Sequence, residues 1–202
     1  MGRQRKIALV TGAGRRGGRT IALELGRRGI DVAVHYNQSR QAAIEVKRQL
    51  IKMGVRAELF RADLSKWAEV RRLVSRVRKK FGWIDILINN ASNFLKTPFG
   101  TVRERDWDLS LDTNLKGPFF LCQEFGREMR QRGGGVIVNI ADWAVDHPYP
   151  NYLPYCISKA GIVTLTKGLQ KVLGPKVKVR LISPRVLKGF SGYAREVGRL
   201  VG

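Results

Sequence analysis

Short apolar runs rich in Val, Ile and Leu alternate with longer helical patterns along the whole chain. The apolar runs cover residues 6–10, 31–35, 57–61, 84–88, 136–140 and 177–182. Hydrophobic residues recur at helical spacing in the segments 18–28, 39–53, 66–81, 152–173 and 103–132, the last of which would break near Gly117 and Pro118. Several short runs are apolar at every position, which is typical of strands covered by helices on both faces. The alternation predicts an α/β fold, a doubly wound Rossmann-like sandwich with a mostly or wholly parallel sheet of six strands.

Length and composition limit the class of protein. A chain of 202 residues suits one domain with its own core, and a hydrophobic content of 44% argues against disorder. No apolar run approaches the roughly 18 residues of a membrane span, and the run at 7–10 is too short for a secretory signal. The two cysteines, Cys122 and Cys156, give neither a disulfide framework nor a metal-ligand cluster. We therefore expect a single cytoplasmic domain over residues 1–202, without a metal or a membrane partner.

The chain is strongly basic, with 38 Lys and Arg against 16 Asp and Glu and a formal net charge of +22. Such a charge could recruit a polyanion, or it could be spread over solvated helix faces. In the densest cluster, at 71–80, the apolar residues repeat at helical spacing, so the cations fall on the solvated side. No nucleic-acid motif or basic stripe with interleaved aromatic residues accompanies them. A nucleic-acid partner is therefore the less favoured interpretation.

A glycine-rich segment follows the first predicted strand. Gly12, Gly14 and Gly17 satisfy G-x-G-x-x-G, and the segment runs directly into a predicted helix. Glycines allow the backbone to approach a pyrophosphate, and the helix start supplies N–H groups and a positive dipole. A dinucleotide site is favoured over an ordinary tight turn.

The residues at the end of the second predicted strand indicate which dinucleotide the site would bind. An NAD site usually places a carboxylate at the end of that strand, but residues 34–40 contain none. Arg16 in the glycine loop, and Ser39 and Arg40 at the next helix, could instead hold a phosphate. NADP is thus favoured over NAD, the alternative being that both arginines are surface cations. Asp63, after the third strand, could accept from an adenine amino group or cap the next helix, and both readings stay open.

Tyr155 and Lys159 lie one helical turn apart, after the fifth predicted strand. A phenol has an ordinary pKa of about 10, and a nearby ammonium would lower that pKa. Tyr155 could then protonate the oxygen of a reduced carbonyl or the nitrogen of a reduced imine. A Tyr and a Lys at this spacing are common on helix surfaces. The pair indicates catalysis only because it follows a strand and so lies at the sheet edge that holds the glycine loop.

With these motifs in order, the chain resembles the short-chain dehydrogenase/reductase family from residue 6 to 184. The resemblance implies that Tyr155 is the acid–base residue, that Lys159 also holds the nicotinamide ribose, and that Asn114 supports a water relay to the lysine. It implies a homodimer or homotetramer, with the helices at 103–132 and 152–173 as candidate interfaces. The cofactor-binding residues expected for NADP (NADPH) are Thr11, Gly12, Gly14, Arg16, Gly17, Gly18, His35, Tyr36, Ser39, Arg40, Asp63, Leu64, Asn90, Ala91, Tyr155, Lys159 and Pro184.

One position departs from the family pattern. The family has a serine thirteen residues before the tyrosine, where this chain has Asp142. Pteridine reductases of the family are similar here, and they also resemble this chain at Arg16, at His35-Tyr36…Ser39 and at 89–94. In them the phenylalanine matching Phe94 would stack on a pterin, although Phe94 could equally pack on the core. A carboxyl group could bind and help protonate a nitrogen heterocycle. The expected substrate contacts are Ser92, Phe94, Asp142 and Tyr155.

The C-terminal segment departs further. Of the family's Asn-x-x-x-Pro-Gly element only Pro184 remains, with Arg185 in place of glycine. Residues 185–202 form a short divergent tail with room for one helix near 193–200. We therefore expect the sheet to lack an edge strand and the substrate pocket to lack a lid. The chain is thus interpreted as a shortened or altered version of a longer enzyme.

Three functions stay open. The first is an NADPH-dependent reductase of a C=O or C=N substrate, with a small pterin-like heterocycle favoured. The second is a reductase of a β-ketoacyl thioester or another small carbonyl compound. The third is a non-catalytic dinucleotide-binding or interaction protein with a basic surface.

Overall fold

The structure, a computed structural model, describes residues 5–184 and 189–201. Within these residues the strands are β1 (Ile7–Val10), β2 (Asp31–Tyr36), β3 (Ala57–Arg61), β4 (Ile86–Asn89), β5 (Gly135–Ile140) and β6 (Val177–Ile182). The α-helices are α1 (Arg16–Arg27), α2 (Arg40–Lys52), α3 (Trp67–Phe81), α4 (Glu104–Leu111), α5 (Gly117–Gln131), α6 (Leu153–Leu173) and α7 (Gly189–Val201). The alternation predicted from the hydrophobic pattern is confirmed.

The described strands form one sheet in the order β3-β2-β1-β4-β5-β6. Each neighbouring pair is parallel, and Val10 of β1 is in register with both Val34 of β2 and Ile88 of β4. Chain order reverses at β1, because β2 lies on one side of it and β4 on the other. In open α/β sheets the carboxyl edge at such a switch point is where ligands bind. The predicted parallel Rossmann-like sheet is confirmed.

Both faces of the sheet are covered, which explains why β1 is apolar at every position and why β2, β4 and β5 are apolar at most positions. Ala8 and Val10 contribute to a core cluster with residues of α1, α2 and α7. The alternate residues Ile7 and Leu9 contribute to a second cluster with residues of α3, α5 and α6. In a strand with two buried faces every side chain is buried, so polar residues such as His35 and Asn139 need hydrogen-bond partners inside the fold.

The long helical pattern at 103–132 is interrupted earlier than predicted. A π-helical segment, Asp112–Lys116, joins α4 to α5, whereas Gly117 and Pro118 lie inside the first turn of α5. Proline is tolerated there because the first N–H groups of a helix have no partner within it. A Cβ on Gly117 would lie 2.7 Å from the main-chain oxygen of Leu64, so this glycine allows close packing. The predicted break near Gly117 is therefore corrected to the segment Asp112–Lys116, about one helical turn earlier.

The C-terminal helix is longer than the predicted segment at 193–200. In α7, Ala194, Val197 and Val201 are buried in the cluster that contains α1. Lys6 donates from its ammonium to the main-chain oxygen of Val201 at 3.0 Å, at the end of this helix. Arg185, at which the family pattern fails, lies outside the described residues.

The dense cation cluster of α3 lies on the solvated side, as predicted. Arg71, Arg72 and Arg76 are exposed, while Val70, Leu73, Val74, Val77 and Phe81 are buried. Among the described residues, no helix is long and apolar enough to cross a membrane. The same residues contain no group of three or more His, Cys, Asp or Glu that could hold a metal ion.

Candidate active site

The candidate site lies at the carboxyl edge of the sheet, where the segments after β1, β4 and β5 meet. The Thr11 hydroxyl donates to the main-chain oxygen of Ile88 at 3.1 Å and accepts from the N–H groups of Asn90 and Ala91, both at 2.9 Å. The Asn90 amide donates back to the main-chain oxygen of Thr11 at 2.9 Å. These bonds fix the start of the glycine loop against the loop that follows β4.

The glycine loop is too tightly packed for larger side chains. Gly12 has a φ of +64°, in the left-handed region that glycine adopts readily. A Cβ on Gly18 would overlap the main-chain oxygen of Gly12, and a Cβ on Gly14 would lie 2.7 Å from the Ser39 hydroxyl. Gly17 is buried at the start of α1. The loop therefore presents bare backbone at a helix start, as a pyrophosphate site requires.

Cations surround the start of α1. A cleft of about 390 Å³ is lined by Gly14, Arg15, Arg16, Arg19, Ala42 and Glu45. The first turn of α1 carries no acidic residue, and Arg15, at its N-cap, makes no side-chain capping bond. Arg40 is exposed at the first position of α2. This donor set, with free helix N–H groups beside several guanidinium groups, fits an anionic dinucleotide that carries an additional phosphate.

His35 and Tyr36, expected to contact the cofactor, are buried at 2% and 7% exposure. The Nδ1 atom of His35 accepts from the N–H of Gly12 at 3.1 Å, and its Nε2 atom donates to the main-chain oxygen of Ala62 at 3.0 Å. The imidazole therefore lies behind the glycine loop, with both nitrogens bonded to backbone groups.

Asp63 holds the turn that leads to α3. One of its carboxylate oxygens accepts from both the N–H and the hydroxyl of Ser65, at 3.1 and 2.8 Å. The N-cap of α3 is Lys66, so Asp63 does not cap this helix itself. The two interpretations of Asp63 were an adenine contact and a helix cap. The structure shows it stabilising the turn just before the helix, and the adenine contact stays a prediction. Leu64 is buried beneath this turn.

Asp142 and Tyr155 are joined by a short hydrogen bond in the site. The Tyr155 hydroxyl donates to Oδ2 of Asp142 at 2.6 Å, while Oδ1 accepts from the N–H of Ala144 at 2.8 Å. The Tyr149 hydroxyl also donates to Oδ1, at 3.3 Å. Asp142 follows β5 and Tyr155 lies in the first turn of α6, so fold topology brings together two residues thirteen positions apart.

The pKa of Tyr155 moves in the opposite direction to the predicted one. Burial and the carboxylate of Asp142 raise the pKa of this phenol well above its usual value. Lys159 shares the helix face, with Nζ 5.7 Å from the centre of the tyrosine ring, but its ammonium donates to the main-chain oxygen of Ile140 at 2.9 Å. Burial lowers the pKa of Lys159 to about 8, partly opposed by Asp142. The expected lowering of the Tyr155 pKa by Lys159 is therefore wrong for this geometry.

Asn114 lies in the π-helical segment and links two parts of the site. Its Oδ1 atom accepts from the N–H of Asn93 at 2.8 Å, and its amide donates to the Ser158 hydroxyl at 3.0 Å. Ser158 is fully buried and donates to the main-chain oxygen of Tyr155 at 2.6 Å. Sequence reasoning missed Ser158 and Asn93, although Ser158 lies directly before Lys159 on the same helix.

Aromatic rings line the approach to Tyr155. Phe94 is 49% exposed, stacks on Tyr152 at 4.1 Å and meets the Tyr155 ring edge-on at 4.7 Å. Tyr149 contacts Phe94 edge-on at 6.1 Å. Of the expected substrate contacts, Ser92 is exposed in the same loop. Tyr149 and Tyr152 were not predicted, although the tyrosines at 149, 152 and 155 recur every three residues, and this spacing could have pointed to them.

Pro184 is half-buried at the end of the described segment that includes β6. Its expected contact with the cofactor stays a prediction.

Comparison with known proteins agrees with this geometry. The chain is 34% identical over 180 residues to the 3-oxoacyl-[acyl-carrier-protein] reductase FabG of Staphylococcus epidermidis, covering 89% of this chain and 74% of that protein. It is 37% identical over 185 residues to the hydroxynaphthalene reductase-like protein Arp2 of Metarhizium robertsii, covering 91% and 68%.

Solved structures give the same result. A metagenomic short-chain oxidoreductase in complex with NADP superposes with a TM-score of 0.92 at 30% identity, covering 97% of this chain and 90% of that one. The landomycin C-6 ketoreductase LanV, with bound NADP and rabelomycin, gives 0.88 at 28%, covering 98% and 89%. The prediction of NADP agrees with the cofactor in both neighbours. The short chain dehydrogenase model matches residues 6–196, and the chain therefore belongs to the short-chain dehydrogenase family of oxidoreductases.

Proposed function

We propose that this chain, as one dinucleotide-binding and catalytic domain, reduces the carbonyl group of a small molecule with NADPH and that Tyr155 supplies the proton. The observation that carries the proposal is the position of the Tyr155 hydroxyl. It lies at the carboxyl edge that holds the glycine loop, on the same helix face as the buried Lys159. FabG and LanV, to which the chain is similar, are named as reductases of keto groups.

The residues around the glycine loop would hold NADPH. The backbone of Gly12, Gly14 and Gly17 would face the pyrophosphate, and the guanidinium groups of Arg16 and Arg40 would neutralise the 2′-phosphate. Thr11, Asn90 and Ala91 shape this loop through the bonds described above. NADPH, when bound, supplies the hydride that is added to the substrate carbon.

Tyr155 is suited to the role of acid in this direction. Its raised pKa keeps the phenol protonated at neutral pH, and its O–H would turn from Asp142 to a developing alkoxide when the substrate binds. Lys159 places a positive charge beside the ring, which stabilises the phenolate once the proton has left. Asn114 and Ser158 hold the first turns of α6 and thereby orient both groups.

Asp142 distinguishes two substrate classes. A carboxylate cannot donate to a ketone oxygen as a serine hydroxyl does, but it can accept from an N–H group. The Asp142 carboxylate beside Tyr155, together with the half-exposed ring of Phe94, favours a planar heterocycle such as a dihydropterin as the second candidate. A β-ketoacyl thioester is supported by the similarity to FabG. Asp142→Ser should raise turnover of simple ketones and lower turnover of heterocycles if the second candidate is correct.

The test is oxidation of NADPH, followed by absorbance, with keto esters, aromatic ketones, a β-ketoacyl thioester and dihydropterins. Tyr155→Phe is the control, because it removes only the hydroxyl and should reduce kcat by at least about a hundredfold. NADPH binding without turnover of any substrate would instead support the non-catalytic alternative. Equal affinity for NADH and NADPH would contradict the assignment of Arg16 and Arg40.

We also propose that the chain forms a homodimer or homotetramer through α4–α5 and α6. Large apolar side chains are exposed on these helices, including Trp107, Phe119 and Ile157 at 42%, 44% and 45%. Exposed apolar surface of this kind marks protein interfaces. Light scattering of the wild type and of Ile157→Glu tests the proposal, and a monomeric wild type would contradict it.

A further inference from the structure

His35 connects three segments at the carboxyl edge of the sheet. It lies near the end of β2 and is 2% exposed. Its Nδ1 atom accepts from the N–H of Gly12, its Nε2 atom donates to the main-chain oxygen of Ala62, and its own main-chain oxygen accepts from the N–H of Ala13 at 2.8 Å. One residue thus receives the N–H groups of two successive positions of the glycine loop.

The imidazole must be neutral to make these bonds. A carbonyl oxygen can only accept, so the ring proton resides on Nε2 and the lone pair of Nδ1 faces Gly12. Burial lowers the pKa of His35 to about 4, opposed by the bond to Ala62 and by the charge of Asp63. The ring therefore stays neutral near pH 7 and serves as a fixed acceptor.

The acceptor acts at a backbone position that determines the shape of the loop. Gly12 has a φ of +64°, and the peptide between Thr11 and Gly12 is held at both ends. Its oxygen accepts from the Asn90 amide at 2.9 Å, and its N–H donates to Nδ1 of His35 at 3.1 Å, so the imidazole fixes the side of this peptide that faces β2. The next peptide, between Gly12 and Ala13, donates its N–H to the main-chain oxygen of His35, and its own oxygen, that of Gly12, lies against Gly18 at the start of α1.

We propose that His35 is a positioning residue that holds the glycine loop in the conformation that accepts the cofactor's pyrophosphate, through the bond from Gly12 N–H to Nδ1. The proposal rests on NADPH as the cofactor of the proposed function. It replaces the direct cofactor contact expected from the family resemblance, because both ring nitrogens are bonded to backbone groups.

Two substitutions separate the two bonds of the ring. In His35→Asn the side-chain oxygen can occupy the place of Nδ1, which keeps the acceptor for Gly12 and loses the bond to Ala62. In His35→Gln the side-chain amide can occupy the place of Nε2, which keeps the donor to Ala62 and loses the acceptor for Gly12. Each variant gives up one hydrogen bond of a buried group, so we expect similar losses of Tm.

The measurement is the Kd for NADPH by fluorescence titration at neutral pH, together with Tm. We expect His35→Asn to bind within about threefold of the wild type and His35→Gln to bind about tenfold or more weakly, as the loss of one loop-ordering hydrogen bond implies. Equal affinity of His35→Gln and the wild type would overturn the proposal. So would equal losses of affinity in both variants, since these would follow from lower stability alone.

A second readout needs no cofactor. Hydrogen exchange of the Gly12 amide in the protein alone should stay slow in His35→Asn and become fast in His35→Gln. Unchanged protection in His35→Gln would refute the inference. If the wild type fails to bind NADPH while this exchange pattern holds, the proposed cofactor is wrong and the positioning role of His35 is upheld.

Discussion

Replacing Lys159 by methionine will stabilise the fold at neutral pH while it abolishes reduction. Lys159 is 3% exposed, and its ammonium donates to the main-chain oxygen of Ile140. Burial lowers its pKa from 10.5 to about 8, so the charged form is less favourable in the folded protein than in the unfolded chain. Methionine has nearly the same length and carries no charge, so it removes this unfavourable contribution while filling the same space, and the lost bond to Ile140 offsets only about 1 kcal/mol of the gain.

The magnitude and its pH dependence follow from the two pKa values. A shift of this size corresponds to about 3 kcal/mol of lost stability at pH 7, where lysine is protonated in both states. Between about pH 8 and 10.5 the unfolded chain holds a proton that the folded protein has released, so stability rises with pH. Relative to Lys159→Met, the wild type should therefore recover about 2 kcal/mol between about pH 7 and 9.5.

Urea unfolding of both proteins at several pH values checks this prediction. Lys167→Met is the matched control, because Lys167 lies exposed on the same helix and its replacement should change the unfolding free energy by less than about 0.5 kcal/mol. The reasoning is refuted if Lys159→Met is no more stable than the wild type at pH 7. It is also refuted if the difference between the two proteins stays constant as pH rises.

Four further substitutions test the glycine loop, α6 and the core. Gly18→Ala places a Cβ against the main-chain oxygen of Gly12 and should abolish NADPH binding, which titration measures. Gly168→Ala, on α6 with open space around it, should instead raise the unfolding free energy by up to about 1 kcal/mol, which calorimetry measures. Arg16 has a φ of +46°, so Arg16→Gly should stabilise the fold by about 1 kcal/mol. Because it removes a guanidinium group, it should also weaken NADPH binding about tenfold without affecting NADH binding. Unchanged NADPH affinity would contradict the phosphate role of Arg16. Phe125→Ala, at a fully buried site, should destabilise by about 3–5 kcal/mol in urea unfolding, and a loss below about 1 kcal/mol would contradict its place in the core.

The fold could be predicted because it follows from the alternation of short apolar runs with helical patterns along the chain. Strands apolar at every position indicated a sheet covered on both faces, and the glycine loop located the switch point. The break between α4 and α5 could not be predicted, because a π-helical segment has no sequence period of its own. It is stabilised by tertiary contacts, including the bond from Asn93 to Asn114.

The sequence named several residues of the candidate site, but it gave neither their hydrogen-bond partners nor the additional residues Asn93, Tyr149, Tyr152 and Ser158. Helical spacing places Tyr155 and Lys159 on one face, but it does not say which atom each side chain reaches. The ammonium of Lys159 bonds to Ile140 and the hydroxyl of Tyr155 bonds to Asp142, so the direction of the tyrosine pKa shift depends on contacts across the fold. His35 is a similar case, since its role depends on backbone atoms of two other segments.

The net positive charge does not by itself indicate a ligand, but the cluster of arginines at the start of α1 does. On α3 several cations pair with nearby carboxylates: Arg78 pairs with Glu124 and Glu128, at 3.0 and 2.5 Å, and Lys80 pairs with Glu58 at 3.0 Å. Such pairs at a surface contribute little stability and need no ligand to explain them. At the start of α1, three arginines line one cleft beside the positive end of a helix dipole. Like charges held together there repel one another, and a bound polyphosphate would relieve that repulsion, so the arginines of this turn are the part of the basic surface that points to a ligand.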